Sequence, residues 1–513
     1  MSGPRVLMLG LDAADASVVQ GLMDQGRAPN LHMLRQQGTF GRLSSPAGLF
    51  AGGVWPSFYT GMDVPSHGVF HNKLWRPEKN RVEVANQHWI GSRPCWESLP
   101  NPDLRLCLVD VPMLLGRPNP LNGVHVSGWG THDVLGKGSW PRDLWRELRR
   151  RHGRPAMPPE QFGAQTTRSL AELYRALRCA TLQLRDITLD LLQRERWDLA
   201  CVVFGATHRA GHYLWHCSQG ANDLGADQHA PGSALPAIYQ HVDEAVGTIL
   251  SDLDRDTLVI VFAVHGMGPN RGWSDLLPDI LAQAQAAIDG RPPKRGMLYS
   301  LRQSVPFHWV RPVLTLLPSA ITDQLVALWS ARMFDWSSTA YFPMPMDQAG
   351  YIRINLRGRE PQGTVDPGEA YETLCGSLEQ LLLSLRDEDS GMPLVSRIVH
   401  GYRDAKHGAR YRNLLPDLIL PWSGPPASET RHVISSELPG FRYTVPGCLP
   451  SGRSGNHNDS AWFIAHGPGV AAGVTASGHD VKDLLPTALR HLGVELPSLQ
   501  GKPIDLRCSA DQS

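Results

Sequence analysis

The stretch Arg5-Val-Leu-Met-Leu-Gly-Leu11 is an almost continuous apolar run that ends directly at Asp12. A run of this kind is typical of a strand that is buried on both faces, as in a mostly parallel sheet. Similar runs recur along the chain, at 104–109, 124–127, 199–204, 258–264, 418–420 and 461–465. Between them, residues 169–195 carry apolar side chains at helical spacing, and Thr166 and Thr167 are candidate N-caps. Strands that alternate with helices predict an α/β fold, with a mostly parallel central sheet flanked by helices on both faces.

The composition is that of a globular chain. The 513 residues, 42% of them hydrophobic, suffice for about three average domains or for one large domain with insertions. The 49 Lys and Arg residues balance the 49 Asp and Glu residues, so the charge gives no support to a nucleic acid or an anionic membrane as partner. Charged residues and prolines interrupt the most apolar long stretch, 305–329, and no signal peptide is recognised. We therefore expect a cytoplasmic protein.

The domain organisation is predicted from changes in composition. Residues 271–346 are rich in Pro and Trp and lack a regular period, which indicates a cap or insertion. They separate two parts of one catalytic core, 1–270 and 347–506, and 507–513 is expected to be a frayed tail. The eight cysteines never form a C-x-x-C pair and are expected to be free, mostly buried thiols.

Polar residues stand at the ends of four predicted strands. Asp12 follows the first strand, His208 and His212 follow 199–204, His265 follows 258–264, and His457 precedes 461–465. In such sheets functional groups gather at the carboxyl ends of the strands. Each residue alone is more often a cap or a hydrogen-bonded core residue. Together, however, three imidazoles or carboxylates around one point match the ligand count of a catalytic zinc site with an open position.

Several segments of the sequence resemble a known family. They are VLMLGLDAAD at 6–15, APNL at 28–31, TGMDVPSHG at 60–68, HGMGP at 265–269, YIRINLRGREPQGTV at 351–365, GNH at 455–457, FIAHGPG at 463–469 and DLLPT at 483–487. In this order they resemble the type I phosphodiesterase/nucleotide pyrophosphatase branch of the alkaline phosphatase superfamily. The resemblance implies an alkaline-phosphatase-like core.

The resemblance also implies two adjacent metal ions, commonly zinc. Carried over by position, the first ion would be bound by His208, His212 and His457, with His208 in place of the family's Asp. For the second ion, Asp12 and His265 match family ligands, whereas Val264 replaces a ligating Asp. One ion is therefore expected, with a second that is weak or absent. Zinc is favoured, and iron or manganese is compatible with the same imidazoles.

The family's nucleophilic Thr or Ser corresponds by position to Ala51, which has no hydroxyl group. Ser44, Ser45, Ser57 and Thr60 are alternatives that each require a gap, and they are more readily interpreted as strand, cap or turn residues. We therefore expect a metal-dependent hydrolase of a small phosphate ester or phosphodiester-like anion that uses metal-bound hydroxide. Asp12 and His265 would act on the substrate or on that water. The alternatives are a protein that binds a metal and a ligand without hydrolysis, and a mononuclear metalloenzyme of another reaction class.

The substrate contacts are less well specified by the sequence. Gly52 and Gly53 could offer backbone N–H groups to an anion, since glycine permits close approach. Trp129 and His132 follow a strand and would supply an aromatic surface and a polar rim for a small-molecule pocket. The phosphate-binding loop, dinucleotide and nucleophile-elbow fingerprints do not occur, so kinase, Rossmann dehydrogenase and α/β-hydrolase functions have no residue support. The sequence makes no prediction of the oligomeric state.

Overall fold

The computed structural model describes residues 5–85, 93–114, 116, 118–131, 136–159, 163, 165–217, 234–290, 334–344, 349–446 and 451–507. Its strands are β1 (Val6–Leu11), β2 (Thr39–Ser44), β3 (Lys73–Arg76), β4 (Arg81–Val84), β5 (Leu106–Val109), β6 (Gly123–Ser127), β7 (Gly138–Trp140), β8 (Leu199–Phe204), β9 (Leu258–Ala263), β10 (Gly266–Pro269), β11 (Tyr341–Pro343), β12 (Gly350–Ile354), β13 (Leu385–Asp387), β14 (Leu418–Leu420), β15 (His432–Ser435), β16 (Arg442–Thr444), β17 (Gly455–Asn458), β18 (Ala461–His466) and β19 (Val474–Asp480). Its α-helices are α1 (Ala16–Asp24), α2 (Pro29–Gln36), α3 (Ala47–Phe50), α4 (Val54–Thr60), α5 (Val64–His67), α6 (Leu144–His152), α7 (Thr167–Arg194), α8 (Ala206–Leu214), α9 (Ala234–Leu250), α10 (Trp273–Asp289), α11 (Glu369–Ser384), α12 (Gly401–Asp404) and α13 (Leu484–His491).

The chain forms two compact units. The first consists of Met1–His67, Asn86–Asn270 and Pro450–Ser513, and the second of Gly68–Ala85 and Arg271–Leu449. The longer segment of the second unit thus begins at the residue where the predicted insertion begins. Residues 291–333 lie outside the described residues, so the cap role assigned to 271–346 stays a prediction.

The first unit contains a nine-stranded sheet of order β19-β2-β18-β9-β1-β8-β5-β6-β7. Strand β1 pairs in parallel with β8 on one side and with β9 on the other, and parallel pairs also join β5 to β6 and β8 and join β19 to β2. Strand β18 is antiparallel to both of its neighbours, and β7 is antiparallel to β6. The predicted mostly parallel sheet is confirmed, and all six residues of β1 are buried at its centre.

Helices cover both faces of this sheet. Leu7, Leu9 and Leu11 of β1 contribute to an apolar core that includes residues of α1, α2, α7, α8 and α9. On the opposite face, α4 packs on β9, where the ring of Phe58 stacks on that of Phe262 at a centroid distance of 4.9 Å. Helix α7 agrees with the predicted 169–195 helix, and the side chain of Thr166 caps it. The prediction of helices on both faces of the sheet is therefore confirmed.

The second unit contains small antiparallel sheets, of order β11-β12-β14, β13-β15-β16 and β3-β4. Residues 418–420, whose apolar run resembles those of the main sheet, form β14 and pair antiparallel with β12. Their prediction as another strand of the parallel sheet is wrong. Three fully buried apolar residues have the same pattern in either kind of sheet, because pairing is decided by distant partners.

A network of buried charges crosses the second unit. The Nε atom of Arg353 donates to Glu360 at 2.7 Å, and Arg359 donates to both Glu360 and Asp417. The hydroxyl of Tyr371 also donates to Asp417, at 2.8 Å. The four charged side chains are between 0% and 4% exposed. Two cations and two anions therefore neutralise each other inside this unit, which is the condition for burying charge at tolerable cost.

The remaining predictions concern membranes and cysteines. Among the described residues, none of the helices combines the length and the hydropathy of a membrane span. The cytoplasmic location stays a prediction. Cys95, Cys107, Cys201 and Cys375 are free and buried, as expected, whereas Cys179 is free and exposed.

Candidate metal centre

The first unit brings the predicted metal ligands together. Asp12 follows β1, His208 and His212 lie on α8 just after β8, His265 lies between β9 and β10, and His457 is in β17. Ring centroids are 4.8 Å apart for His208 and His212, 4.7 Å for His208 and His457, and 4.7 Å for His265 and His457. The strand ends that the sequence singled out thus converge on one cluster.

Two groups in this cluster have the composition of a metal site. In the first, His208, His212 and His457, one ligand atom of each residue lies within 4.8 Å of the others. The second, Asp12, His208 and His265, meets the same limit. The two groups share His208, so they overlap. His208 and His212 lie one turn apart on α8, whose nine residues are all buried, as the spacing predicts.

Hydrogen bonds fix the orientation of two of these rings. The Nδ1 atom of His208 lies 2.7 Å from Oδ2 of Asp12, and Nδ1 of His212 lies 3.0 Å from the carbonyl oxygen of Gly455. A carboxylate and a carbonyl oxygen both accept hydrogen bonds, so these partners assign the proton of each neutral ring to Nδ1. The Nε2 atoms, which then carry lone pairs, face each other at 3.0 Å.

The charge state of His212 follows from its surroundings. Burial lowers the pKa of His212 well below its usual 6.5, and the positive charge of Arg453 lowers the pKa further. The ring is therefore neutral at pH 7. The Nε2 atom of His212 therefore carries a lone pair, which can accept a proton or bind a cation. With His208 and His457, this ring forms a candidate metal site, and imidazole nitrogen suits zinc and related transition metals.

The loop that leads into β17 is packed closely on α8. The backbone N–H of Ser454 donates to the carbonyl oxygen of His212 at 2.8 Å. A Cβ atom on Gly455 would lie 2.1 Å from the carbonyl oxygen of Gly211, and one on Gly211 would lie 2.5 Å from Cγ of Met267. The two glycines therefore allow α8, β10 and β17 to approach, and this approach brings the third histidine to the other two.

The second group lacks a ligand that the family would supply. Val264 is fully buried, and its carbonyl oxygen accepts a hydrogen bond from the Ser45 hydroxyl at 2.6 Å. Asp12 Oδ1 lies 3.9 Å from His265 Nε2, but it also accepts the indole N–H of Trp55 at 2.8 Å. Sequence reasoning missed Trp55, because no motif or spacing indicates that this indole contacts the carboxylate.

The positions proposed for a nucleophile are also placed by the structure. Ala51 begins a one-turn 3-10 helix, Ala51–Gly53, that leads into α4. Three of the alternative hydroxyls take part in hydrogen bonds: Ser45 with the Val264 carbonyl, Ser57 with His67 Nε2 at 3.0 Å, and Thr60 with the Pro56 carbonyl at 2.5 Å. Ser44 is exposed at the end of β2. These contacts support the interpretation of Ser45, Ser57 and Thr60 as structural residues, and the identity of the nucleophile stays unknown.

The predicted substrate-binding residues differ in how deeply they are buried. Gly52 is half-buried and Gly53 is buried, both next to α4. Trp129 is only 1% exposed, and its indole N–H donates to Gln183 at 3.0 Å. This burial favours a core role for Trp129 over a substrate-binding surface. His132 lies outside the described residues. The substrate-binding roles remain predictions.

Comparison with known proteins identifies the family. The family model for type I phosphodiesterase / nucleotide pyrophosphatase matches residues 6–416. No curated protein matches the chain. Similar solved structures include phosphonoacetate hydrolase from Sinorhizobium meliloti 1021 in complex with phosphonoformate, with 12% identity, a TM-score of 0.49, and coverage of 95% of this chain and 96% of that one. Human ectonucleotide pyrophosphatase/phosphodiesterase 5 has 11% identity, a TM-score of 0.47 and coverage of 97% of both chains. The family match confirms the resemblance seen in the sequence, and the chain belongs to the type I phosphodiesterase / nucleotide pyrophosphatase family of hydrolases.

Proposed function

We propose that the chain hydrolyses a small phosphate-ester or phosphodiester-like anion with one divalent metal ion, most commonly zinc, held by His208, His212 and His457. The observation that supports this most strongly is the pair of Nε2 atoms of His208 and His212, which face each other at 3.0 Å. The donors of all three rings lie within 4.8 Å of one another. Three protein ligands and an open fourth position are the arrangement of a catalytic zinc site, and iron and manganese also accept imidazole ligands.

A divalent ion held by these three histidines would supply a nucleophile at neutral pH, because it would lower the pKa of a bound water to about 7. Ala51 has no hydroxyl group with which to form a covalent intermediate. Three neutral imidazole ligands would leave the double positive charge of such an ion uncompensated, so the occupied site would attract an anionic substrate oxygen. His265 would donate a proton or bind an anion. Its ring, which is 2% exposed and lies 4.7 Å from that of His457, supports this role.

The same ligands would serve a protein that binds a metal and an anion without turnover. The substitutions at Ala51 and Val264, where the family has a nucleophile and a ligand, favour this second candidate. The two candidates agree on the metal site and differ only in catalysis. Metal binding and hydrolysis must therefore be measured separately.

Metal binding is tested by elemental analysis of the purified protein. We expect about one transition-metal ion per chain, and we expect the content to fall towards zero in His208→Ala and in His457→Ala. His216→Ala is the matched control, because His216 follows α8 in sequence and is exposed. Unchanged metal content in both site variants would show that these histidines are not the ligands.

Hydrolysis is tested with a panel of aryl phosphodiesters, phosphomonoesters, sulfates and phosphonates. The metal-replete protein should turn over at least one class, and His212→Ala should abolish that turnover. Background rates that are equal in the two proteins would contradict the hydrolase proposal and favour the binding function.

A further inference from the structure

The carboxylate of Asp12 lies between two N–H groups. Its Oδ2 atom is 2.7 Å from Nδ1 of His208, and its Oδ1 atom accepts the indole N–H of Trp55 at 2.8 Å. Asp12 is fully buried, and Trp55 is 3% exposed. Each carboxylate oxygen therefore has a buried N–H partner. One of these partners is His208, a member of the three-histidine group.

Trp55 is itself held firmly in this position. Its ring packs edge-on against Phe58 and Phe262, with centroid distances of 5.6 and 6.0 Å. Gly10 of β1 leaves the space that the indole fills, since a Cβ atom there would lie 3.1 Å from Cη2 of Trp55. The indole N–H therefore has a fixed direction, and a fixed donor orients the acceptor that it contacts.

The backbone at Asp12 is tied to the segment that carries His208. The N–H of Asp12 donates to the carbonyl oxygen of Phe204 at 3.0 Å, and the hydroxyl of Thr207 donates to the carbonyl oxygen of Asp12 at 2.6 Å. Two hydrogen bonds thus join the end of β1 to the start of α8. These two hydrogen bonds help to hold the carboxylate of Asp12 next to the imidazole of His208.

We propose that Asp12 is a positioning residue, held by Trp55, that fixes His208 as the Nδ1–H tautomer so that its Nε2 atom faces the metal. This inference rests on the proposed one-ion site and assigns Asp12 a role different from that of a ligand or general base. A carboxylate that accepts from the other nitrogen of a ligating histidine fixes the ring and raises its basicity.

The tautomer can be measured in the metal-free protein. Long-range ¹H–¹⁵N spectra of ¹⁵N-histidine-labelled protein distinguish Nδ1–H from Nε2–H rings, and the signals of His208 are assigned by their loss in His208→Gln. We expect His208 to be the Nδ1–H tautomer in the wild type and to lose this preference in Asp12→Asn. A wild-type His208 that carries its proton on Nε2 would overturn the proposal.

Metal affinity gives a second readout. Competition titration with a chelator should show Zn²⁺ binding that is about 10- to 100-fold weaker in Asp12→Asn, and weakened by a smaller factor in Trp55→Phe, which keeps an aromatic ring. Trp197→Phe is the control, because it removes a buried indole hydrogen bond, to the Leu191 carbonyl, elsewhere in the same unit. Equal affinity in the wild type, Asp12→Asn and Trp55→Phe would overturn the proposal.

A ligand role for Asp12 gives a different result in the Co²⁺-substituted protein. If Asp12 is a ligand, Asp12→Asn changes the Co²⁺ absorption spectrum by removing a carboxylate. If Asp12 is a positioning residue, the spectrum of the saturated variant stays that of three nitrogens. None of these measurements uses turnover. Absence of hydrolysis with the expected tautomer and affinities would contradict the proposed function alone, and hydrolysis with an Nε2–H His208 would contradict this inference alone.

Discussion

The Nδ1 atom of His212 lies 3.0 Å from the carbonyl oxygen of Gly455, two residues before His457 in the chain. One loop therefore orients the ring of one proposed ligand and carries another. Because Ser454 also donates to the carbonyl oxygen of His212, the end of α8 and the start of β17 form one hydrogen-bonded element. A substitution in this element should therefore weaken metal binding more than an equally destabilising substitution elsewhere in the chain.

Gly455→Ala tests this coupling. The new Cβ atom would lie 2.1 Å from the carbonyl oxygen of Gly211, so the loop must move away from α8. We expect a loss of about 1–3 kcal/mol in the free energy of unfolding, measured with denaturant, together with weaker Zn²⁺ binding. Gly21→Ala in α1 is the control, because its Cβ would have no atom within 4 Å apart from its chain neighbours and the backbone of its own helix. A Gly455→Ala protein with wild-type metal affinity would show that the loop does not position the ligands.

His67 predicts a specific dependence of stability on pH. It is fully buried against Ser57, and burial lowers its pKa from 6.5 to about 3. The unfolded chain therefore takes up a proton below pH 6.5, whereas the folded chain does not until about pH 3. Since the folded pKa is depressed, this contribution to stability is complete above pH 6.5 and is lost as the pH falls towards 3.

His67→Gln should reduce the slope of stability against pH in this acidic window, by up to about 1.4 kcal/mol per pH unit. The measurement is the denaturant unfolding free energy at several pH values between 6.5 and 4. His407→Gln serves as control, because the side chain of His407 is exposed. Parallel curves for the wild type and His67→Gln would contradict the assignment of a buried neutral imidazole.

The charge network of the second unit predicts a large effect on stability. Glu360→Gln leaves the fully buried guanidinium of Arg353 without its anionic partner. We expect a loss of about 3–5 kcal/mol in the free energy of unfolding. Asp366→Asn removes a surface ion pair with Arg357, whose side chains are 63% and 58% exposed, and should cost less than about 1 kcal/mol. Similar losses in the two variants would mean that the buried network contributes no more than a surface pair.

The sequence predicts the main sheet and the convergence of four histidines with Asp12, because buried strands and the residues at their ends leave a local pattern. It does not predict Trp55 as a partner of Asp12, the Gly455 carbonyl as a partner of His212, or the sheet to which 418–420 belongs. These contacts join residues far apart in the chain. A single indole or carbonyl group has no periodicity, so only the folded chain shows which carboxylate or imidazole it contacts.

Trp55 also predicts why restoring one ligand should be insufficient for a second ion. Val264→Asp alone supplies the carboxylate that the family has at this position, but Oδ1 of Asp12 still accepts the indole N–H of Trp55 at 2.8 Å, which makes this oxygen a weaker ligand. We expect the metal content of Val264→Asp, measured by elemental analysis in the presence of excess Zn²⁺, to stay near one ion per chain. Val264→Asp combined with Trp55→Phe frees that oxygen, and its metal content should rise towards two. The single variant Trp55→Phe is the control, because it frees Asp12 without adding a ligand and should not gain an ion. A second ion in Val264→Asp alone would show that the indole is easily displaced, and a double variant that stays at one ion would show that more than these two side chains separates this site from a two-ion site.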